Sequence, residues 1–180
     1  MTDSASPDSL SPLPRSLDRD AFVARFGGIY EHSAWVAEAV FDRGLDETQD
    51  TAAGLHAALS AQVEAADGDT KLALLRAHPD LAGKLAVAGA LTADSTAEQA
   101  GAGLDRCSPE ELARFQTLNA AYKAKFGFPY ILAVRGRSRG EILENFAARL
   151  DNDAAEEFIE ALRQIDQIAL LRLEALEAGA

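Results

Sequence analysis

The histidine of the segment His78-Pro79-Asp80 has a position suited to proton transfer. Residues 70–77 are typical of a helix, and Pro79 disfavours the α conformation at the residue before it, so we expect the helix to end at His78. The partial negative charge at a helix C-terminus favours the imidazolium form, which suits a general acid. For an isolated tripeptide, a structural histidine that caps a carbonyl is the simpler interpretation.

Arg172 is a second candidate because it lies on the apolar face of the last predicted helix. The spacing 4, 3, 4, 3, 4 places six residues on this face, namely Phe158, Leu162, Ile165, Ala169, Arg172 and Leu176. A guanidinium in such surroundings requires a carboxylate partner, a route to water or a bound anion. The sequence leaves a structural ion pair and an anion-binding cleft both open.

A third candidate is the start of the helix predicted at Ser95. Ser95 and Glu98 match a capping box, which would account for Glu98 without any function. If this helix start instead opens onto a cleft, Ser95 and the first-turn amides could bind an anion or an amide, with Glu98 and Gln99 beside them. The two interpretations are compatible.

Several other kinds of site are disfavoured. His32, His56 and His78 lack the i, i+4 spacing of a helical zinc pair, and the single cysteine, Cys107, cannot build a cysteine zinc site, so no metal is expected. No glycine-rich phosphate loop is present. The formal net charge of -12 disfavours nucleic acid as a partner.

The composition predicts an all-α fold, a single-domain multi-helix bundle over residues 16–180. The chain has 180 residues, 48% of them hydrophobic, and few β-branched residues. Residues 1–15, rich in serine and proline, are expected to form a flexible tail. Residues 128–134 read as one short, buried, extended segment. Without a signal peptide or a membrane-length apolar run, we expect a cytoplasmic protein with no membrane partner.

Helix boundaries follow from glycine, proline and capping residues. Helices are predicted at about 17–26, 33–43, 51–65, 70–77, 109–126 and 154–178. A capping residue followed three positions later by glutamate marks four helix starts, at Ser95, Ser108, Ser138 and Asp153.

Several ordered motifs together resemble one family, the 2-oxo-4-hydroxy-4-carboxy-5-ureidoimidazoline (OHCU) decarboxylases. The resemblance extends over about residues 18–176. The motifs include His78-Pro-Asp-Leu-Ala-Gly-Lys84, Leu91-Thr-Ala-Asp-Ser-Thr-Ala-Glu-Gln99, Leu118-Asn-Ala-Ala-Tyr122, Phe126-Gly-Phe-Pro-Tyr-Ile-Leu-Ala-Val134, Arg149-Leu150 and residues 168–173.

This resemblance implies a helical homodimer that converts OHCU to (S)-allantoin in urate degradation without any cofactor. It implies His78 as the catalytic acid/base and Arg172 facing the substrate, and it places Glu98 among the substrate contacts. Our mechanistic hypothesis is that Glu98 shares the catalytic task with His78. The remaining implied substrate-binding residues are Pro79, Ser95, Thr96, Ala97, Gln99, Tyr130, Ile131, Leu132, Ala133 and Val134. Tyr130 stands where phenylalanine is common in the family, a change that should leave backbone contacts intact.

Two other functions are compatible with the same residues. One is a non-catalytic helical module of the same fold that binds a ligand or a partner, although His78, Glu98 and Arg172 argue against it. The other is hydrolysis of a related ring by a water molecule that Glu98 activates.

Overall fold

The computed structural model describes residues 9–83 and 91–179, and within these residues the regular structure is helical, with no strand. This confirms the predicted all-α class. The α-helices are α1 Arg19–Phe26, α2 Trp35–Arg43, α3 Ala52–Ala65, α4 Gly68–Arg76, α5 Ala93–Gly101, α6 Pro109–Phe126, α7 Arg139–Arg149 and α8 Ala154–Ala178. Short 3-10 helices span Pro14–Ser16, Glu47–Asp50 and Leu104–Arg106.

The chain divides into two compact units. The first contains the described residues up to Leu74 and from Asp166 onward, and the second is Leu75–Ile165. The predicted site residues from His78 to Val134 therefore belong to the second unit, whereas Arg172 belongs to the first.

Capping residues start most of the helices where the sequence predicts. Ser108 and Ser138 form complete capping boxes with the glutamates three residues later. The Asp153 carboxylate accepts a hydrogen bond from the Glu156 N–H at 2.8 Å, at the start of α8. These side chains satisfy backbone donors that a helix N-terminus leaves without partners.

The prediction for Ser95 is wrong, because α5 begins earlier. Its N-cap is Thr92, whose hydroxyl accepts a hydrogen bond from the Ser95 N–H at 3.3 Å. Thr92 is also a good capping residue, and using it extends the helix by most of a turn. Ser95 therefore lies inside the first turn, and Glu98 is not a capping-box residue.

Part of the segment predicted as a flexible tail is ordered. Leu10 is fully buried, and its N–H donates to the Asp50 carbonyl at 2.7 Å. Arg15 forms an ion pair with the Asp50 carboxylate at 3.0 Å. Among the described residues, order thus begins before residue 16, because one apolar side chain and one ion pair hold this segment. Residues 1–8 of the predicted tail lie outside the described residues.

Aromatic side chains form the core of the second unit. Tyr122 of α6 makes edge contacts with Phe128, Tyr130 and Phe146. The rings of Tyr130 and Phe146 are stacked, with centroids 3.8 Å apart. Residues 128–134 are buried, as predicted, and run between α6 and α7 without helix or strand. The rings hold this irregular segment in the interior.

The buried face of α8 differs from the predicted stripe. Phe158, Leu162 and Leu176 are only partly buried. The buried positions are Glu157, Ala161, Gln164, Ile165, Ile168, Ala169, Arg172 and Leu173. The predicted and observed faces share Ile165, Ala169 and Arg172. They differ because the prediction followed the apolar pattern, whereas Glu157 and Gln164 are buried with hydrogen-bond partners on other segments.

Candidate active site

His78 lies in the turn that follows α4. Its N–H donates to the Leu75 carbonyl at 3.2 Å, and its side chain is buried, with 8% of the residue surface exposed. The helix ends at Arg76, two residues earlier, in agreement with the effect of Pro79 on the residue before it. A buried histidine at a helix end is therefore present where the sequence placed it.

The turn after His78 has a tight backbone. Ala82 has a φ of 46°, a conformation that non-glycine residues rarely adopt. A Cβ atom at Gly83 would lie 2.6 Å from the Cβ of Asp80, so this position requires glycine. Such a backbone persists only where the surrounding structure holds it.

Two buried amide side chains hold this turn. The Gln99 Oε1 of α5 accepts from the Ala82 N–H at 3.0 Å, and its Nε2 donates to the Asp80 carbonyl at 3.5 Å. The Asn119 Nδ2 of α6 donates to the Leu81 carbonyl at 2.9 Å. At the edge of the turn, Lys123 pairs with Asp80 at 2.7 Å.

The structure brings α5 against the turn that follows His78. Ser95 and Gln99 are one helical turn apart, both are buried, and Glu98 beside them is half-buried. Because Gln99 contacts residues 80 and 82, this face of α5 is directed to the turn. Thr96 and Ala97 are exposed, and the Thr96 hydroxyl donates to the Thr92 carbonyl at 2.8 Å.

Some backbone N–H and carbonyl groups of residues 130–134 already have hydrogen-bond partners within the protein. The Ala133 N–H donates to the Gln164 Oε1 at 2.9 Å, and the Ile131 carbonyl accepts from the Arg149 Nη1 at 2.7 Å. The Ala133 and Val134 carbonyls accept from Arg137. Among the described groups, no acceptor takes the N–H of Tyr130, Ile131, Leu132 or Val134.

The hydroxyl of Tyr130 has a partner of its own. It donates to the Asn145 Oδ1 of α7 at 2.6 Å. Burial raises the pKa of this phenol, so it is neutral and a donor at physiological pH. The tyrosine thus fits the interior without using the backbone of residues 130–134.

The buried pair Arg149 and Glu157, for which no role was predicted from the sequence, holds the same segment. Glu157 is fully buried and accepts from the Arg149 Nε at 2.8 Å and from the Tyr122 hydroxyl. The Arg149 guanidinium also lies over the Tyr130 ring, 4.8 Å from its centroid. The available signals were the Leu118–Tyr122 and Arg149-Leu150 motifs of the family resemblance, but their partners are distant in sequence.

Arg172 has the carboxylate partner that its position demanded. In the first unit its Nη1 lies 2.9 Å from the Glu31 Oε2, with both side chains buried. The same nitrogen donates to the Gly28 and Ile29 carbonyls at 3.2 and 3.3 Å. Of the two alternatives left open, the structure shows the ion pair, and the substrate contact of Arg172 stays a prediction.

No group of three or more metal-ligating side chains comes together in the part of the chain that the structure describes. In the same residues, no helix is both long and apolar enough to cross a membrane.

Comparison with known proteins decides the family. A family model described as OHCU decarboxylase matches residues 15–174. The chain belongs to the OHCU decarboxylase family. It is 42% identical to the 2-oxo-4-hydroxy-4-carboxy-5-ureidoimidazoline decarboxylase of Halalkalicoccus jeotgali, over 88% of this chain and 86% of that protein. It is 41% identical to the decarboxylase of the same name from Haloferax volcanii, over 87% and 89% respectively.

A solved structure shows the same fold. The crystal structure of (S)-allantoin synthase superposes with a TM-score of 0.70 at 34% identity and covers 91% of this chain. This chain covers 52% of the allantoin synthase chain, so it spans about half of that protein's length. The family resemblance noted from the motifs is thereby confirmed.

Proposed function

We propose that this OHCU decarboxylase family member converts OHCU to (S)-allantoin in urate degradation, as a carboxy-lyase, with His78 and Glu98 as its catalytic residues. The observation that carries the proposal is the contact between the turn after His78 and the face of α5 that bears Ser95 and Gln99. This contact joins the His-Pro-Asp motif, to which the family resemblance assigns catalysis, to the Ser-x-x-Glu-Gln motif, to which it assigns substrate contacts. Family membership supplies the reaction.

The reaction can proceed with the groups of the substrate and these side chains. The bond between the hydroxyl-bearing ring carbon and the carboxylate breaks and CO2 leaves. The electron pair forms a double bond to the neighbouring carbon, and the C=N pair moves to the ring nitrogen, which takes up a proton. The resulting enol gives up its hydroxyl proton and becomes a carbonyl, while a proton adds to the neighbouring carbon that bears the ureido group. His78 and Glu98 orient the hydroxyl and carboxylate and manage this proton, and delivery to one face gives a single enantiomer. The ring itself is the electron sink, so no organic cofactor is required.

Substrate binding is proposed to use the backbone of residues 130–134. The N–H groups of Tyr130, Ile131, Leu132 and Val134 are the candidates, since Gln164 occupies the N–H of Ala133. Fixed backbone donors recognise ring carbonyls and developing negative charge without reorganisation. Pro79, Ser95, Thr96, Ala97 and Gln99 remain proposed substrate contacts.

The role of Arg172 is proposed from the resemblance. Its guanidinium pairs with the buried Glu31, and a planar guanidinium is suited to binding an anionic group. A homodimer is proposed on the same basis, and a cytoplasmic location stays a proposal from the sequence pattern.

The test generates OHCU in solution from urate with the two preceding enzymes and follows (S)-allantoin by circular dichroism. The expected result is formation of one enantiomer faster than spontaneous decay, with release of CO2. If (S)-allantoin forms no faster than by spontaneous decay of OHCU, the protein is a non-catalytic module. If the ring opens without release of CO2, the protein is a hydrolase.

Glu98 is tested in the same assay by Glu98→Gln. Loss of the carboxylate should lower kcat by about 100-fold, the scale of general acid–base catalysis. Glu144→Gln, an exposed glutamate on α7, is the matched control and should keep the wild-type rate. Equal rates for the two variants would remove Glu98 from the mechanism.

A further inference from the structure

We propose that Asn119 is a positioning residue for His78, which acts by holding the carbonyl of Leu81 in the turn that follows the histidine. The inference rests on the proposed function, because it concerns the same site. It assigns a role to the motif Leu118-Asn-Ala-Ala-Tyr122, which the family resemblance left without one.

The contact has the geometry of a specific, buried hydrogen bond. The Asn119 Nδ2 lies 2.9 Å from the Leu81 carbonyl oxygen, and Asn119 is 5% exposed. Leu81 is itself buried and lies three residues after His78. In such surroundings no water competes for the carbonyl, so the amide determines where this peptide group lies.

The backbone of this turn needs such restraint. Ala82, next to Leu81, has a φ of 46°, and Gly83 leaves no room for a Cβ atom. Gln99 contacts two adjacent peptide groups, one through the Asp80 carbonyl and the next through the Ala82 N–H. Asn119 binds the Leu81 carbonyl, which is the other end of the second of these peptide groups. Two neutral amide side chains from different helices therefore form hydrogen bonds with the backbone of three consecutive residues.

The Oδ1 atom of Asn119 supports a specific role for the amide as a hydrogen-bond donor to Leu81. Its Oδ1 is buried without a hydrogen-bond partner among the described residues. An apolar side chain of similar shape would avoid this unsatisfied oxygen, so general packing does not explain an asparagine here. The donor to Leu81 does explain it.

Lys123 does not account for the restraint of the turn. It lies one helical turn after Asn119 and pairs with Asp80, but its side chain is 49% exposed. Such ion pairs contribute little, since solvent screens them. Asn119 is therefore the residue of α6 whose loss should release the turn.

The experiment compares three variants of the full chain. Asn119→Leu keeps the branched shape without the donor, Asn119→Asp keeps the size but donates no hydrogen bond when ionised, and Asn119→Ser is a smaller change. Gln116→Glu, an exposed amide-to-acid change on the same helix, is the control. Steady-state kinetics, thermal unfolding and hydrogen–deuterium exchange of peptides covering residues 78–83 are measured for each.

In Asn119→Leu and Asn119→Asp, kcat should fall about 10- to 100-fold while KM changes less than about 3-fold, because the acid is misplaced and the binding groups are intact. Exchange of residues 78–83 should accelerate, and that of the C-terminal half of α6 should not. Gln116→Glu should match the wild type in both. If Asn119→Leu does not fold, Asn119→Ser should show the same pattern.

Four results would overturn the proposal. These are a folded variant with wild-type kcat, unchanged exchange in residues 78–83, a raised KM with kcat retained, and unfolding of all three variants. The raised KM would make Asn119 a substrate contact, and general unfolding would make it a stability residue. A wild-type protein without decarboxylase activity would refute the proposed function, while the exchange comparison would still decide whether Asn119 holds the turn.

Discussion

The guanidinium of Arg149 connects the fully buried carboxylate of Glu157 to the carbonyl of Ile131, which it reaches at 2.7 Å. A residue of α7 thereby holds the segment whose N–H groups are proposed to bind the substrate. The pair is buried on both sides, so its loss leaves a charge without compensation in the interior.

Removal of this guanidinium should strongly destabilise the protein. Arg149→Ala is expected to lower the free energy of unfolding by about 3–5 kcal/mol, since it leaves the Glu157 charge and the Ile131 carbonyl unpaired. Arg163→Ala breaks an Arg–Glu pair on the exposed side of α8 and should cost at most about 1 kcal/mol. Urea denaturation measures both. If the free energy of unfolding falls by a similar amount in both variants, the buried pair contributes no more to stability than the exposed one.

His78→Asn should fold normally and lose most activity. The proposed proton transfer accounts for a fall in kcat of about 100- to 10,000-fold. His32→Asn is the matched control, because His32 is exposed and its φ of 49° is one that asparagine tolerates. The dichroism assay measures the rate. A near-wild-type rate in His78→Asn would remove this residue from catalysis.

Arg172→Ala should raise KM if the guanidinium binds the substrate. Loss of one ionic contact predicts an increase of about 10-fold or more, together with lower stability. Glu31→Gln separates the two effects, since it removes the ionic partner of Arg172 and should lower stability, while the guanidinium remains, so KM should rise less than in Arg172→Ala. An unchanged KM in Arg172→Ala would make the residue structural only.

The stability of the first unit should depend on pH through His56 and Asp166. The His56 Nε2 lies 3.0 Å from the Asp166 Oδ1. This hydrogen bond raises the pKa of His56 and lowers that of Asp166. The histidine contribution is complete below the unfolded pKa of about 6.5 and is lost as pH rises through the higher folded pKa. The aspartate contribution is complete above about pH 4 and is lost as pH falls through the lower folded pKa.

The pair should therefore stabilise most between about pH 4 and 6.5. Because the Asp166 side chain is 40% exposed, solvent screening limits the gain to about 1 kcal/mol or less. His56→Gln should lose this increment within the window and differ less from the wild type at pH 9. Urea denaturation at pH 5.5 and 9 checks the sign. A larger loss at pH 9 would contradict it.

Local patterns in the sequence were sufficient to predict the helical class and most helix ends, and to place His78 at the end of a helix. Ser108 and Ser138 start helices as predicted, because a capping box involves residues only three positions apart. The motifs were likewise sufficient for the family. The predicted start of α5 at Ser95 was wrong, because the Thr92 hydroxyl caps this helix instead and the sequence analysis did not consider it.

Only the tertiary structure decided which groups hold the site. Leu81 and Asn119 are 38 residues apart, and Ala133 and Gln164 are 31 apart. The buried face of α8 also depended on such partners, since Glu157 is buried only where Arg149 and Tyr122 surround its carboxylate. Helical periodicity shows which face of a helix is apolar. A polar side chain, in contrast, can be buried only if another segment provides its hydrogen-bond partners, and those partners come close only when the chain has folded.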